Sequence, residues 1–295
     1  MDAGAVRSIR SFNRTVAERI GALTDEFLGR ARPMGESRTL WEIGTDGAEV
    51  RELRARLGLD SGYMSRVLES LRRQRLINVK SSQKDGRVRR VSLSAAGRVE
   101  VAELDRRADG VAGGFLEPLN AKQRSRLVAA MTEVERLLTA SMVQLAVEDP
   151  TTHDATWCIQ QYFKELDGRF DAGFDPAKSI PADAHELAPP VGALILARLH
   201  ERPVGCGALK FHGRAPAELK RMWVSLDVRG LGLGRRLLRE LERYAYEHGA
   251  RTVRLETNRS LKEAIQLYRS SGYREVAAFN DEPYAHHWFE KKLTG

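Results

Sequence analysis

Residues 229–234 read Arg229-Gly230-Leu231-Gly232-Leu233-Gly234, and their setting decides the fold of residues 216–272 around them. An apolar strand candidate, Leu219 to Val224, precedes the loop, and a helical pattern, Arg235 to His248, follows it. Glycines at alternate positions between a strand and a helix leave several backbone N–H groups unobstructed, because no Cβ stands in the way. At the positive end of a helix, such amides form a cradle for a phosphate or pyrophosphate. Two familiar phosphate loops do not fit. A P-loop ends in Gly-Lys-[Ser/Thr], whereas Gly234 is followed by Arg235-Arg236. A dinucleotide fingerprint needs G-x-G-x-x-G with an acidic residue some distance downstream, whereas the spacing here is G-x-G-x-G and the next strand ends Glu256-Thr257-Asn258. Taken alone, the glycines also fit a plain tight turn between strand and helix.

Arg229-x-x-Gly232-x-Gly234 resembles the [Q/R]-x-x-G-x-[G/A] signature of GNAT-family N-acetyltransferases. Other elements stand where that family has them: the strand Glu218 to Val224, the strand Thr252 to Thr257 with Asn258, and Ala264-Ile-Gln-Leu-Tyr268 running on to Gly272-Tyr273. The resemblance covers residues 153–295 and implies an acetyl-CoA-dependent transferase acting on an amine. It implies contacts to acetyl-CoA from Met222, Trp223 and Val224 on the strand. From the loop it implies Arg229, Gly230, Leu231, Gly232, Leu233, Gly234 and Arg235, and beyond it Asn258, Ala264 and Tyr268. Transfer to an amine needs a base for the ammonium proton and an acid for the departing thiolate. The resemblance places Tyr268 beside the CoA sulfur as that acid; an aromatic core residue on an amphipathic helix is the plainer alternative. Glu218, opening the central strand, is the candidate base, with Glu256 as runner-up and a solvent-exposed strand-end carboxylate as the plain reading of Glu218. No metal-ligand constellation is evident, so no metal is expected.

The chain has 295 residues, enough for two domains, with 42% hydrophobic and 30% charged residues. No run is apolar enough to span a membrane, and the N-terminus lacks an apolar signal core, so a cytoplasmic protein is expected. Cys158 and Cys206 have no metal spacing and read as buried reduced thiols. The net charge of +8 is concentrated: residues 61–100 hold ten Lys/Arg against three acids. That local excess points to a polyanionic partner.

The basic stretch falls on a particular pattern. Residues 2–31 read as one helix, with Val6, Ile9, Val16, Ile20, Leu23 and Phe27 at helical spacing. A helix over 49–57 and another from Asp60 or Ser61 to about Gln74 follow, the second with Met64, Val67, Leu68 and Leu71 facing inward. Leu76 to Val79 and Val88 to Leu93 pair across Gln83-Lys84-Asp85-Gly86-Arg87. Two helices on a tight turn and then a basic hairpin make a winged helix-turn-helix. With Leu93-Ser94-x-x-Gly97 next, this order resembles the MarR family of dimeric transcription regulators. The resemblance implies double-stranded DNA as partner, contacted by Ser61, Tyr63, Ser65 and Arg66 on the helix and by Arg87 and Arg89 on the wing. A winged helix that binds protein is the alternative.

From Leu127 through Met131, Val134, Leu138 and Met142 to Leu145 runs a near-heptad stripe, fit for a helix seam. With the first helix it suggests a homodimer contact, as in MarR proteins, or packing within the chain. Val147 to His153 reads as a linker, and Asp154 to Ile159 as the first strand of a second domain. Phe170 and Phe174 fit either an acceptor pocket or the core.

The expected fold class is therefore α+β in two domains. A mainly α winged helix-turn-helix occupies residues 1–148, and a mixed α/β acetyltransferase fold occupies residues 153–295. The expected function is N-acetylation of a small amine by a chain that also reads DNA. A regulator that only senses acyl-CoA, and a protein-lysine acetyltransferase, are the alternatives.

Overall fold

The computed structural model describes residues 2–21, 27–29, 32–81, 89–213 and 215–294. The chain divides into two compact units, Met1–Met131 and Thr132–Gly295.

In the first unit, α1 (Ala3–Arg19) starts where the Asp2 side chain accepts from the Gly4 amide. It is shorter than the helix expected over residues 2–31: the chain leaves the helix at Ile20, and Gly21 is left-handed at φ 68°. After α2 (Met34–Ile43) comes the short β1 (Ala48–Glu49), then α3 (Val50–Leu57) and α4 (Ser61–Arg73). The cap of α4 is Asp60, whose Oδ1 accepts from the Tyr63 amide at 2.8 Å. Met64, Val67, Leu68 and Leu71 are buried at helical spacing and join Leu40, Leu53 and Val91 in one core. Strands β2 (Ile77–Ser81) and β3 (Arg89–Leu93) pair antiparallel, and β1 adds to the other edge of β3. Helix, turn, helix and hairpin are thus the arrangement the sequence suggested. The tip of that hairpin, Arg87 included, lies outside the described residues, as do Leu23 and the side chain of Phe27. The unit continues into α5 (Ala95–Leu116), capped by Ser94, and into the first half of α6 (Ala121–Met142), whose residues from Thr132 on belong to the second unit.

The heptad stripe stops short of its expected end. Helix α6 finishes at Met142, and Leu145 lies on a strand, β4 (Gln144–Glu148), which pairs antiparallel with β5 (Gly192–Leu199). Residues 144–148 therefore belong to the second sheet and not to the first domain, where the 1–148 boundary had placed them. The segment 154–159, expected as a strand, is the start of α7 (His153–Arg169). Thr152 Oγ1 accepts from the Ala155 amide at 3.3 Å, and Ala155, Cys158 and Leu166 are buried at helical spacing.

The second unit is built on a seven-stranded sheet in the order β4-β5-β6-β7-β8-β10-β9. Here β6 is Arg202–Lys210, β7 Ala217–Val224, β8 Thr252–Thr257, β9 Arg274–Val276 and β10 His287–Lys292. Helix α7 covers one face, burying Ala155 and Cys158 with Cys206 and Trp223. Helices α8 (Leu233–Glu247) and α9 (Lys262–Ser270) cover the other, where Leu237, Leu241, Ile265 and Tyr268 meet Leu219, Leu255 and Phe289. Among the described residues no helix is long and apolar enough to cross a membrane.

Two irregularities in β7 open the middle of this sheet. Its parallel pairing with β8 covers only Ala217↔Val253 and Glu218↔Arg254. Beyond that point the two strands no longer pair, although both run on. Arg221 has φ 55°, and the register against β6 shifts between Cys206 and Ala208. One extra residue on β7 at that place is a β-bulge, which bends a strand and redirects its side chains. The sheet is left with a split between the C-terminal halves of β7 and β8.

Candidate active site

The split holds two cavities that meet. The larger, about 570 Å³, runs from the glycine loop along the end of β7 and over α9. The smaller, about 90 Å³, lies between β7, β8 and the segments 170–180 and 282–285. Tyr162, Leu166, Met222, Leu261, Ala264 and Tyr268 line both. Reacting groups brought from the two sides would meet at these residues.

At the far end of the larger groove lies the loop 229–234. Gly230 and Gly232 take φ 78° and 76°, left-handed conformations that cost any residue with a Cβ about 1–2 kcal/mol. At Gly230 a Cβ would also fall 2.7 Å from Arg136 Nη2, which donates to the Gly230 carbonyl. Gly234 meets only an ordinary contact with Leu267, so alanine would fit there. The first helical bond of α8 runs from Arg236 N to Gly232 O. Leu233, Gly234 and Arg235 thus begin a helix with no helical acceptor for their amides. Those amides, at the positive helix end and beside a groove, suit a diphosphate.

Most of the residues expected to touch a cofactor line this groove. Met222, Trp223 and Val224 contribute from the strand, Arg229, Gly230, Gly232, Leu233, Gly234 and Arg235 from the loop, and Ala264 and Tyr268 from α9. Two do not. Leu231 turns away to pack near Val228 and Leu233. Asn258 lines the smaller chamber, where its Nδ2 donates to the Tyr284 carbonyl at 2.7 Å and its Oδ1 accepts from the Ser260 amide at 2.9 Å. Arg229 is tied to the scaffold, donating from Nε to the Val224 carbonyl at 2.9 Å and from Nη2 to Glu165. Glu165 also accepts from Trp223 Nε1 at 3.0 Å and pairs with Arg169 at 3.2 Å.

Tyr268 stands where the cavities join. Its ring packs edge-on to Tyr273 at 5.7 Å and lies 6.1 Å from Phe289. Its hydroxyl reaches Met222 Sδ at 3.8 Å, a weak partner. Burial, with smaller contributions from Tyr162 and Glu256, pushes that hydroxyl well above the usual tyrosine range, so it stays protonated and able to donate. Tyr162 faces the same junction, and burial pushes its hydroxyl up to about 12.

The structure revises the expectation for Glu218. Its carboxylate lines neither cavity, because residue 218 is still within the paired part of β7 and β8. Burial alone would raise its carboxyl, but Lys220, the hydrogen bond from Arg254 and the nearby His212 outweigh that and hold it below the usual range. Arg254 Nη2 lies at 2.6 Å, Lys220 Nζ at 3.3 Å and His212 Nε2 at 3.5 Å. Glu218 therefore sits outside both cavities, clamped by the side chains of Arg254, Lys220 and His212. The runner-up, Glu256, lies on β8 past the point of divergence and lines the chamber. One of its oxygens pairs with Lys220 and the other is 3.4 Å from Asn280 Nδ2.

Several residues lining the two cavities carried no sequence signal: Tyr162 and Glu165 on α7, Arg221 at the bulge, Glu282 and Tyr284. Phe170 and Phe174 do line the chamber, their rings tilted against Tyr284 at 5.7 and 4.9 Å. Glu282 accepts from Ser179 Oγ at 2.9 Å and from the Ile180 amide at 2.7 Å, which holds the loop over the chamber. The free cysteines Cys158 and Cys206 are buried away from both cavities. No cluster able to hold a metal occurs among the described residues.

On the first unit, Ser61, Ser65, Arg66 and Arg89 are exposed. Tyr63 is half-buried against the core, with its hydroxyl beside Gly35 and its ring 5.8 Å from the Arg66 guanidinium. It is less available on that face than the others.

The profile described as the acetyltransferase (GNAT) family matches residues 156–273, and that of the MarR family matches residues 31–88. An IAA acetyltransferase of Azospirillum brasilense is 35% identical over 139 residues, which is 46% of this chain and 88% of the relative. An uncharacterized N-acetyltransferase of Schizosaccharomyces pombe is 32% identical over 136 residues, 45% of this chain and 79% of the relative. The N-alpha-acetyltransferase RimI of Mycobacterium tuberculosis is 33% identical over 142 residues, 47% of this chain and 84% of the relative. The chain therefore belongs to the GNAT acetyltransferase family, and is an acyltransferase whose catalytic domain follows a MarR-family segment.

Proposed function

We propose that the second unit transfers the acetyl group of acetyl-CoA to the primary amine of a small molecule. The observation that carries this reading is the junction at Tyr268 of a groove ending in free amides with a small chamber lined by aromatic rings and carboxylates. The amides of Leu233, Gly234 and Arg235 would hold the diphosphate, and the unpaired edge of β7 at Met222–Val224 would take the pantetheine arm. Backbone N–H groups on that edge are suited to the thioester oxygen as it gains charge.

An ammonium entering the chamber is attracted by the faces of Phe170, Phe174 and Tyr284 and by Glu256. Glu256, directly or through a water, takes one proton and frees the nitrogen lone pair. The nitrogen bonds to the acetyl carbon as the carbon–sulfur bond breaks. Tyr268 gives its proton to the departing sulfur and regains one from the second proton the nitrogen sheds. The chamber's volume of about 90 Å³ favours a compact acceptor over a folded protein surface.

For the first unit we propose DNA binding through the exposed face of α4 and the wing. The apolar residues exposed on α1 (Val6, Ile9, Phe12) and on α6 (Val128, Met131, Leu137, Leu138) support a homodimer. Thiol release from acetyl-CoA across a panel of small amines and lysine peptides tests the enzymatic reading. Turnover with small amines supports it. Turnover with peptides alone makes the chain a protein acetyltransferase, and CoA binding without turnover makes it a sensor.

A further inference from the structure

Arg221 is the residue the acetyl-transfer chemistry leaves unexplained. It sits at the β7 bulge with φ 55°, a conformation unfavourable for any side chain with a Cβ. The bulge carries its guanidinium onto α7, 4.5 Å above the Phe163 ring and 5.9 Å from Tyr162, and the residue lines the acceptor chamber. Its Nε is buried with no hydrogen-bond partner, and it makes no ion pair among the described residues. Buried charged donors are normally satisfied, and a guanidinium presents a planar fork that matches a carboxylate.

The chamber does contain carboxylates, but each is engaged elsewhere. Glu282 is taken by Ser179, Ile180 and Tyr284. Glu256 is taken by Lys220, on the β8 side of the split, with lone pairs left over. One cavity therefore offers an unpaired cation together with a carboxylate able to accept more. A plain amine would use Glu256 and leave Arg221 unsatisfied beside a second positive charge. The surroundings of Tyr162 report the same grouping, since its hydroxyl feels Arg221, Glu256 and Glu282 together.

We propose that the acceptor is an amine that also carries a carboxylate, the carboxylate held by Arg221 and the amine turned toward Glu256 and Tyr268. This deepens the small-amine reading and rests on it. At about 90 Å³ the chamber suits a compact amino acid. The aromatic rings would cover its carbon skeleton.

The test compares each of several small amino acids with its own carboxamide, which keeps the amine and removes the negative charge. The readout is the ratio of kcat/KM, carboxylate over carboxamide, in the intact chain. The expected ratio is at least about tenfold, carried mainly by KM, falling to about one in Arg221→Gln and only partly in Arg221→Lys. Far-UV circular dichroism and melting of the variants check that they fold. Should Arg221→Gln fail to fold, competitive inhibition of the unaltered protein by the N-acetylated acids against the N-acetylated amides reads the same preference. A ratio near one, or carboxamides preferred, overturns this inference and leaves the small-amine reading standing. Turnover of neither series while other small amines are acetylated overturns this inference alone, and turnover of no small amine at all overturns both.

Discussion

Removing the Tyr268 hydroxyl by Tyr268→Phe separates catalysis from folding. The ring contacts with Tyr273 and Phe289 survive the change. The lost hydroxyl has only the weak partner Met222 Sδ at 3.8 Å, so little hydrogen-bond energy goes with it. A buried hydroxyl also carries a desolvation cost of about 1–3 kcal/mol, which phenylalanine escapes. The two effects oppose, and stability should move by less than about 1 kcal/mol, a Tm change of a few degrees at most for a unit of this size. Loss of a general acid should instead lower kcat about 10²–10⁴-fold, equivalent to about 3–5 kcal/mol of transition-state stabilisation. Thiol release gives kcat, scanning fluorimetry gives Tm, and calorimetry gives the Kd of CoA, which should hardly change. Because burial holds the Tyr268 hydroxyl above the ordinary tyrosine value, it stays protonated well beyond neutral pH. Raising the pH to about 9 should therefore not cost the enzyme its acid. A kcat within about threefold of the parent would refute the role assigned to Tyr268, as would a loss of activity matched by a loss of folded protein.

Glu256→Gln should lower kcat about 10²–10⁴-fold, whereas Glu218→Gln should cost far less activity but about 1–3 kcal/mol of stability on denaturant unfolding, by leaving Lys220 and Arg254 short of a partner. Glu218 is held below its unfolded value, so its contribution is present above about pH 4.3 and is lost as pH falls through the lower folded value; acid unfolding of the parent but not of Glu218→Gln should show that loss. Gly232→Ala has room for its Cβ but is forced into a left-handed conformation, so the protein should fold while its Kd for CoA rises about tenfold in calorimetry. Arg66→Ala, on the exposed face of α4, should reduce the salt slope of DNA binding by about one in an anisotropy titration; an unchanged slope removes Arg66 from the phosphate contacts.

The parts legible in the sequence were those written in local chemistry. Glycine spacing marked the loop, because left-handed turns select glycine at Gly230 and Gly232 wherever they occur. The helix-turn-helix was legible through the spacing of Met64, Val67, Leu68 and Leu71 and the cap at Asp60. Segment ends were harder. Leu145 continues a heptad by count, yet Gln144 to Glu148 pairs with β5, and only the long-range sheet decides between the two. Trp157 and Ile159 alternate as in a strand, but the burial of Ala155 and Cys158 against the sheet imposes a helix. The candidate base was hard to place for a similar reason. Glu218 and Glu256 both lie on central strands, and what separates them is where β7 and β8 part company. That point depends on a bulge at Arg221 that no composition signal announces. Tyr162, Glu165, Glu282 and Tyr284 reach the site from segments more than a hundred residues apart, so only the folded chain brings them together.

The most direct test of the central idea is calorimetric titration of the purified chain with CoA. Saturable binding is expected, with a Kd in the micromolar range, of order −8 kcal/mol, weakened by Gly232→Ala. The absence of any heat of association at about millimolar CoA would contradict it, because the amides at the start of α8 would then have no diphosphate to hold.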